Sequence, residues 1–322
     1  MHITILDDNL DAVRHLSSFD RLRGHTVEIW NDHTKDEDVL ADRLKNTEAL
    51  VLIRERTPIR TALLDRLPAL RLISQSGVYP HIDIDACARR GITVSTDLHK
   101  DNPSLATSEL TWGLILASMR GIPQQMAALR AGRWQTMVGT ALRGRTLGIL
   151  GYGGIGAAVG GYAKAFGMHV LAWGRERSLA RARADNCETV TKEAIFERSD
   201  VVTIHIRANK ETPGLVTPAD LARMKPTALF VNTSRASLVE PGALVAALRH
   251  GRPGMAAVDV YEEEPVLGGN HPLLGMENVV CTPHLGYVER GQLEATFAVI
   301  FDQVLAYADG RPFNVVNPET LL

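Results

Sequence analysis

Along the first hundred residues, short apolar runs alternate with segments whose apolar positions recur at helical spacing. The runs "HITILDD", "HTVEIW", "ALVLI", "LRLISQSG" and "ITVST" read as strands. Between them, "DEDVLADRLKN", "TALLDRLPA" and "DIDACARRG" read as helices. Such alternation predicts a parallel sheet with helices on its faces. The long apolar segment "LATSELTWGLILASMRGI" comes after "DNPS", where Asn102 or Ser104 suits a helix N-cap. Polar residues interrupt it too often for a membrane span, so it reads as a buried connecting helix.

The alternation then restarts with "TLGIL", "HVLAW", "VVTIHI", "ALFVNTS", "MAAVDV" and "NVVCTPH". Residues 289–308, "ERGQLEATFAVIFDQVLAYA", form a closing amphipathic helix. A chain of 322 residues is too long for one ordinary core. The expected architecture is therefore α/β, two doubly wound parallel-sheet domains. One spans 1–101 plus 290–322 and the other 102–289, with a ligand taken in the cleft between them.

Composition narrows the function classes. An apolar share of 45% and a charged share of 22% suit a soluble globular protein. A net charge of −2 offers no electrostatic reason for nucleic acid or an anionic membrane as partner. The three cysteines, Cys87, Cys187 and Cys281, are far apart, which fits a reducing cytoplasm. The start, "MHITILDDNLDAVRHL", puts two Asp directly after a short apolar run and is not a signal peptide.

The sharpest local signal is "GYGGIG", with Gly151, Gly153 and Gly156 between an apolar strand and a helical run at 157–166. In a dinucleotide-binding loop the first glycine permits the tight turn and the second lets backbone approach the pyrophosphate. The third lets helix pack on strand. The unpaired N–H groups of the helix start then face the phosphates. The ordinary alternative is a glycine-rich turn, and the strand before and helix after argue against it. Further on, "VLAWGRERS" ends its strand in Gly174, where an acid would hydrogen-bond the ribose 2′-hydroxyl of NAD. That removes an acceptor for the hydroxyl and also a repulsion against a 2′-phosphate. Arg175 and Arg177 follow, as phosphate ligands or as solvated loop charges. The combination favours NADP(H), with NAD(H) as the other candidate.

Arg235 in "FVNTSRA", Glu264 in "VDVYEEEP" and His284 in "CTPHLGY" lie at or just past the ends of late strands, the edge where open α/β sheets bind ligands. Each alone has a structural alternative: a capping Arg, a solvated run of Glu, a loop His. Together they suit one chemistry. An Arg grips a carboxylate and polarises a neighbouring carbonyl. A His passes a proton to or from oxygen, and a carboxylate beside it favours the imidazolium and orients the ring. With a nicotinamide cofactor the result is hydride transfer between a 2-hydroxy acid and a 2-keto acid.

These stretches, with "MKPTALFVNTSRASLVEPGALVAALRHGRPGMAAVDVYEEEP", "HPLLGMENVVCTPHLGY" and "GRPFNVVNP", resemble the D-isomer-specific 2-hydroxyacid dehydrogenases over nearly the whole chain. That family includes glyoxylate/hydroxypyruvate reductases, D-lactate dehydrogenases and D-3-phosphoglycerate dehydrogenases. The resemblance implies a flavodoxin-like substrate domain, a Rossmann cofactor domain and a homodimer formed through the long segment after the first domain. It implies that Arg235 binds and activates substrate, that His284 donates or accepts the proton, and that Glu264 is its partner, with Glu262 and Glu263 outside that role. It also implies cofactor contacts at Tyr152, Gly153, Gly154, Ile155, Gly174, Arg175, His205, Thr233 and Asp259. "SQSGVYPHIDIDAC" resembles the family's substrate loop, where N–H groups of Gly77 and Val78 would meet the substrate carboxylate. Arg54 and Arg56 in "IRERTPI" are substrate-facing candidates, or partners of Glu55 in a solvated loop.

The chain departs from the family pattern in places. "WGRE" is closer to NADP-using reductases, and "HIRANKETPG" replaces the usual Pro-Leu after His205. The chain ends at "NPETLL", without the regulatory domain of many phosphoglycerate dehydrogenases. The leading expectation is a reductase of a small 2-keto acid, glyoxylate or hydroxypyruvate first. D-3-phosphoglycerate dehydrogenase is the alternative in the same class, and a nucleotide-sensing interaction protein the alternative in another.

Overall fold

The structure, a computed structural model, describes residues 1–98 and 105–321. Two compact units divide the chain: Met1–Asn102 with Arg290–Leu322, and Pro103–Glu289. Each is built on one sheet whose strands all run parallel.

The strands of the first unit are β1 (His2–Ile5), β2 (Thr26–Ile29), β3 (Ala49–Val51), β4 (Leu72–Ser76) and β5 (Thr93–Asp97), in the order β2-β1-β3-β4-β5. The crossovers carry α1 (Glu37–Leu44), α2 (Thr61–Leu64) and α3 (Ile84–Arg89). Asp36 and Asp83 start α1 and α3 by accepting hydrogen bonds from free first-turn N–H groups. The central strands β3 and β4 are buried along their whole length, β3 as the continuous apolar run expected of a covered parallel sheet and β4 with Ser74, Gln75 and Ser76 buried beside Leu72 and Ile73.

In the second unit the connecting segment is two helices, α4 (Leu105–Met119) and α5 (Ile122–Arg130), where the apolar pattern predicts one. The break falls at Gly121, which takes φ +58, directly before Ile122 and Pro123 open α5. The cap candidates Asn102 and Ser104 lie outside the described residues. The remaining strands are β6 (Thr146–Leu150), β7 (His169–Trp173), β8 (Glu188–Thr189), β9 (Val201–Ile204), β10 (Leu229–Asn232), β11 (Met255–Val258) and β12 (Val279–Cys281). Their order, β12-β11-β10-β9-β6-β7-β8, reverses between β6 and β9, the dinucleotide-binding topology. The helices are α6 (Gly154–Ala165), α7 (Glu176–Ala184), α8 (Lys192–Arg198), α9 (Pro218–Arg223) and α10 (Ala243–Arg249).

Helices α4 and α6 cover one face of this sheet around Trp112, Ile115 and Val159, and α8, α9 and α10 cover the other around Phe196, Leu221 and Phe230. Each such side chain, fully buried, contributes roughly 1.5–3 kcal/mol. Finally α11 (Arg290–Ala308) returns to the first unit and packs on β4, where buried Gln303 donates to Ser74 Oγ and the Gln75 carbonyl, both at 3.0 Å. Among the described residues, no helix is long and apolar enough to cross a membrane.

Candidate active site

The glycine loop leaves β6 through Gly151, whose φ of +92 is open to glycine and whose N–H donates to the Trp173 carbonyl at 2.8 Å. A Cβ there would stand 2.8 Å from the His205 carbonyl oxygen, and one on Gly156 would stand 2.3 Å from the Gly151 oxygen. Internal packing therefore accounts for these two glycines. It does not account for Gly153, where a Cβ would meet nothing within 4 Å. Gly153 caps α6, which begins at Gly154, earlier than the helical run at 157–166 suggests. An open face over the free amides of a helix start fits a pyrophosphate.

Tyr152, inside the glycine loop, is tied to its own unit by side chain and backbone. Its phenol is buried against Gly160 and accepts a hydrogen bond from the Cys187 thiol at 3.3 Å, while its N–H donates to Ser178 Oγ at 2.8 Å. Ser178 also stands 3.1 Å from where a Cβ on residue 174 would be, so a larger residue than Gly174 would crowd it. Arg175, at the N-cap of α7, is exposed and pairs with exposed Glu211 at 3.0 Å. The His205 ring, past the end of β9, lies 3.0 Å from Thr203 Oγ1, and burial pushes it down to about 4, leaving it neutral at pH 7.

Beyond β10, Asn232 shapes the turn that delivers Arg235. Its amide donates to the Arg235 carbonyl and its oxygen accepts the Ser234 N–H, both at 3.0 Å. Thr233 Oγ1 lies 2.8 Å from Thr111 Oγ1 on α4. Beyond β11, buried Asp259 accepts from Thr282 Oγ1 at 2.6 Å and from the N–H groups of Leu285 and Gly286 at 2.7 and 2.9 Å. It thus anchors both sides of the loop that carries His284, a role the sequence does not announce. Burial pushes the Asp259 carboxyl up, against the pull of those three donors and of the nearby His284 charge.

His284 holds φ +55, and its Nδ1 lies 2.5 Å from Glu264 Oε2. The other carboxylate oxygen accepts the Tyr261 N–H at 2.9 Å. Burial works to raise the Glu264 carboxyl, but the His284 hydrogen bond and charge, the Tyr261 N–H and the Arg235 charge outweigh it, leaving it below the ordinary range. Glu262 is engaged elsewhere, with His271 Nε2 at 2.9 Å. One edge of this sheet therefore carries the glycine loop, Gly174, His205, Thr233, Arg235, Asp259, Glu264 and His284.

In the first unit, Arg54 follows β3 and the Gly77–Val78 loop follows β4. Gly77 has φ +109, and its N–H donates to the Asp97 carbonyl at 2.7 Å, so it is not the free amide expected. Val78 N–H has no partner among the described residues. The Arg54 guanidinium lies 3.9 Å from the position of a Cβ on Gly77. Among the described residues no cluster of His, Cys, Asp and Glu could hold a metal ion.

A reversed parallel sheet with an open glycine cradle and a carboxylate-held imidazole on the same edge is the architecture of a dinucleotide-dependent oxidoreductase. The chain belongs to the D-isomer-specific 2-hydroxyacid dehydrogenase family, whose NAD-binding domain matches residues 112–286. It is an NAD-binding 2-hydroxyacid dehydrogenase. It is 36% identical to a glyoxylate reductase of Aeropyrum pernix over 313 residues, 92% of this chain and 91% of that one. Among solved structures it is similar to an oxidoreductase of Ralstonia solanacearum, with TM-score 0.96 and 49% identity over 100% of this chain and 98% of that one. A phosphoglycerate oxidoreductase of Vibrio cholerae is similar at TM-score 0.92 and 47% identity, covering 96% and 99%.

Proposed function

We propose that the chain reduces a small 2-keto acid, glyoxylate or hydroxypyruvate, to the D-2-hydroxy acid, with NADPH preferred over NADH. The observation that carries this reading is the 2.5 Å contact of His284 Nδ1 with Glu264, near enough to Arg235 for its charge to act on the carboxylate. When bound, the nicotinamide cofactor supplies the hydride. His284 delivers the proton to the keto oxygen from Nε2, while Glu264, on Nδ1, orients the ring. Arg235 binds the carboxylate and draws charge from the carbonyl. Asp259 serves by holding the His284 loop.

The amides of Gly153, Gly154 and Ile155 would hold the pyrophosphate, with Thr233 and His205 further along the same edge. Gly174 leaves room for a 2′-phosphate, which Arg175 would bind in exchange for Glu211. The first unit is the substrate domain in this reading, with Val78 N–H and Arg54 on the substrate carboxylate. The protein is a cytoplasmic homodimer. Its interface is the apolar surface of 122–138, where Ile122, Met126, Leu129, Trp134, Met137 and Val138 are exposed, Val138 to 96%. L129E with V138E should shift the species seen by light scattering from dimer to monomer.

A second reading, D-3-phosphoglycerate dehydrogenase, is favoured by the solved phosphoglycerate oxidoreductase at 47% identity. It needs cations for a substrate phosphate, and Arg56 donates to the Asp7 carbonyl at 2.8 Å instead. Turnover of glyoxylate and hydroxypyruvate against phosphohydroxypyruvate, in wild type and H284A, separates the two readings.

A further inference from the structure

We propose that Asp7 is a positioning residue for substrate binding, holding the loop that presents Arg54 through Thr57, Arg56 and His33. The inference rests on the assignment of Arg54 to the keto acid made above.

The order of the first sheet reverses between β1 and β3, so the crevice outside the carboxyl ends of those two strands is its switch point. Asp7 stands just past β1, and the loop 54–57 stands past β3. Asp7 is 2% exposed and takes φ +64, a left-handed conformation that Asp, with its short polar side chain, tolerates better than most residues with a Cβ. Its three acceptors are all used. Thr57 Oγ1 donates to Oδ2 at 2.6 Å, His33 Nδ1 lies 2.8 Å from Oδ1, and Arg56 Nη1 donates to the backbone carbonyl at 2.8 Å.

Two consecutive residues of the Arg54 loop are thus tied to one buried carboxylate residue, and a third group, His33, fixes the carboxylate from the opposite side. Arg54 itself takes φ +61, so the turn that aims its side chain is also held in a strained conformation. A loop needing only to be packed would be served by apolar contacts, without the cost of burying a carboxylate. What three directional donors add is orientation. The Arg54 guanidinium is kept 3.9 Å from the Cβ position of Gly77, the residue before Val78.

The test is steady-state kinetics with glyoxylate for D7N, T57V, R54A, D7N/R54A and T57V/R54A, with oxamate affinity from calorimetry as a readout independent of turnover. D7N places an amide N–H against a donor, and T57V removes the hydroxyl while keeping its shape. Each should raise KM and the oxamate Kd about tenfold, leave kcat within about twofold, and add nothing further to R54A. Unchanged KM in both single variants, or effects that multiply on the R54A background, would overturn the inference and leave the function intact. If R54A keeps wild-type KM while H284A abolishes turnover, Arg54 does not bind substrate and the inference falls with it. If D7N does not fold, T57V decides alone.

Discussion

Glu264 uses both carboxylate oxygens, one on His284 Nδ1 at 2.5 Å and one on the Tyr261 N–H at 2.9 Å, so the imidazole is held by a carboxylate that is itself held. His284 Nε2 then has no protein partner among the described residues. H284A should lower kcat for keto-acid reduction by about 10²–10⁴-fold with cofactor affinity retained, the range for a lost general acid. E264Q should lower kcat by a smaller factor. Stopped-flow reduction together with cofactor titration separates the two effects, and equal loss of cofactor binding would point to a structural role.

The two kinds of glycine in the loop predict different failures. G156A puts a Cβ 2.3 Å from the Gly151 oxygen and should lower Tm as well as cofactor affinity. G153A meets no protein atom within 4 Å, so Tm should hold while dinucleotide affinity falls about tenfold or more. Calorimetry on both variants tells packing from binding.

At residue 175 an arginine is already paired, with Glu211 at 3.0 Å, and both are exposed. Exposed pairs are weak, so a phosphate displaces this one readily. R175A should weaken NADPH about tenfold and NADH by less than about twofold, the loss of one charge-assisted contact. E211Q should tighten NADPH and leave NADH alone. Equal effects on both cofactors would make Arg175 a surface charge without a role in selection.

His81 is buried with neither ring nitrogen hydrogen-bonded, and burial pushes it down to about 4 from an ordinary 6.5. Because the folded value is the lower one, the unfolded chain binds the proton first. The stability that the neutral ring contributes is complete above pH 6.5 and is lost as pH falls toward 4, by up to roughly 3 kcal/mol. H81L should flatten that part of the curve. Urea unfolding of both proteins at pH 7, 5.5 and 4.5 would contradict this if the two slopes matched.

What the sequence discloses is local. The strands, the glycine loop and the residues Arg235, Glu264 and His284 all stand in short segments whose spacing carries their meaning. What it hides is pairing across the sheet. The Gly77 amide looks free until β5 brings the Asp97 carbonyl to 2.7 Å. Tyr152 sits inside the cofactor motif, yet its ring turns into the core toward Cys187. Asp7 meets His33 and Thr57 only because β1 lies between β2 and β3, an order that no periodicity records. The break at Gly121 was within reach, since a glycine ahead of Ile-Pro inside an apolar run is a helix boundary signal.

In the proposed reading this edge reduces a small 2-keto acid. Oxidation of NADPH and of NADH by the purified protein with glyoxylate, hydroxypyruvate, pyruvate and phosphohydroxypyruvate tests it most directly. Turnover should be fastest with NADPH and glyoxylate or hydroxypyruvate, and lost in H284A. Turnover confined to phosphohydroxypyruvate, or none with cofactor still bound, would contradict that reading.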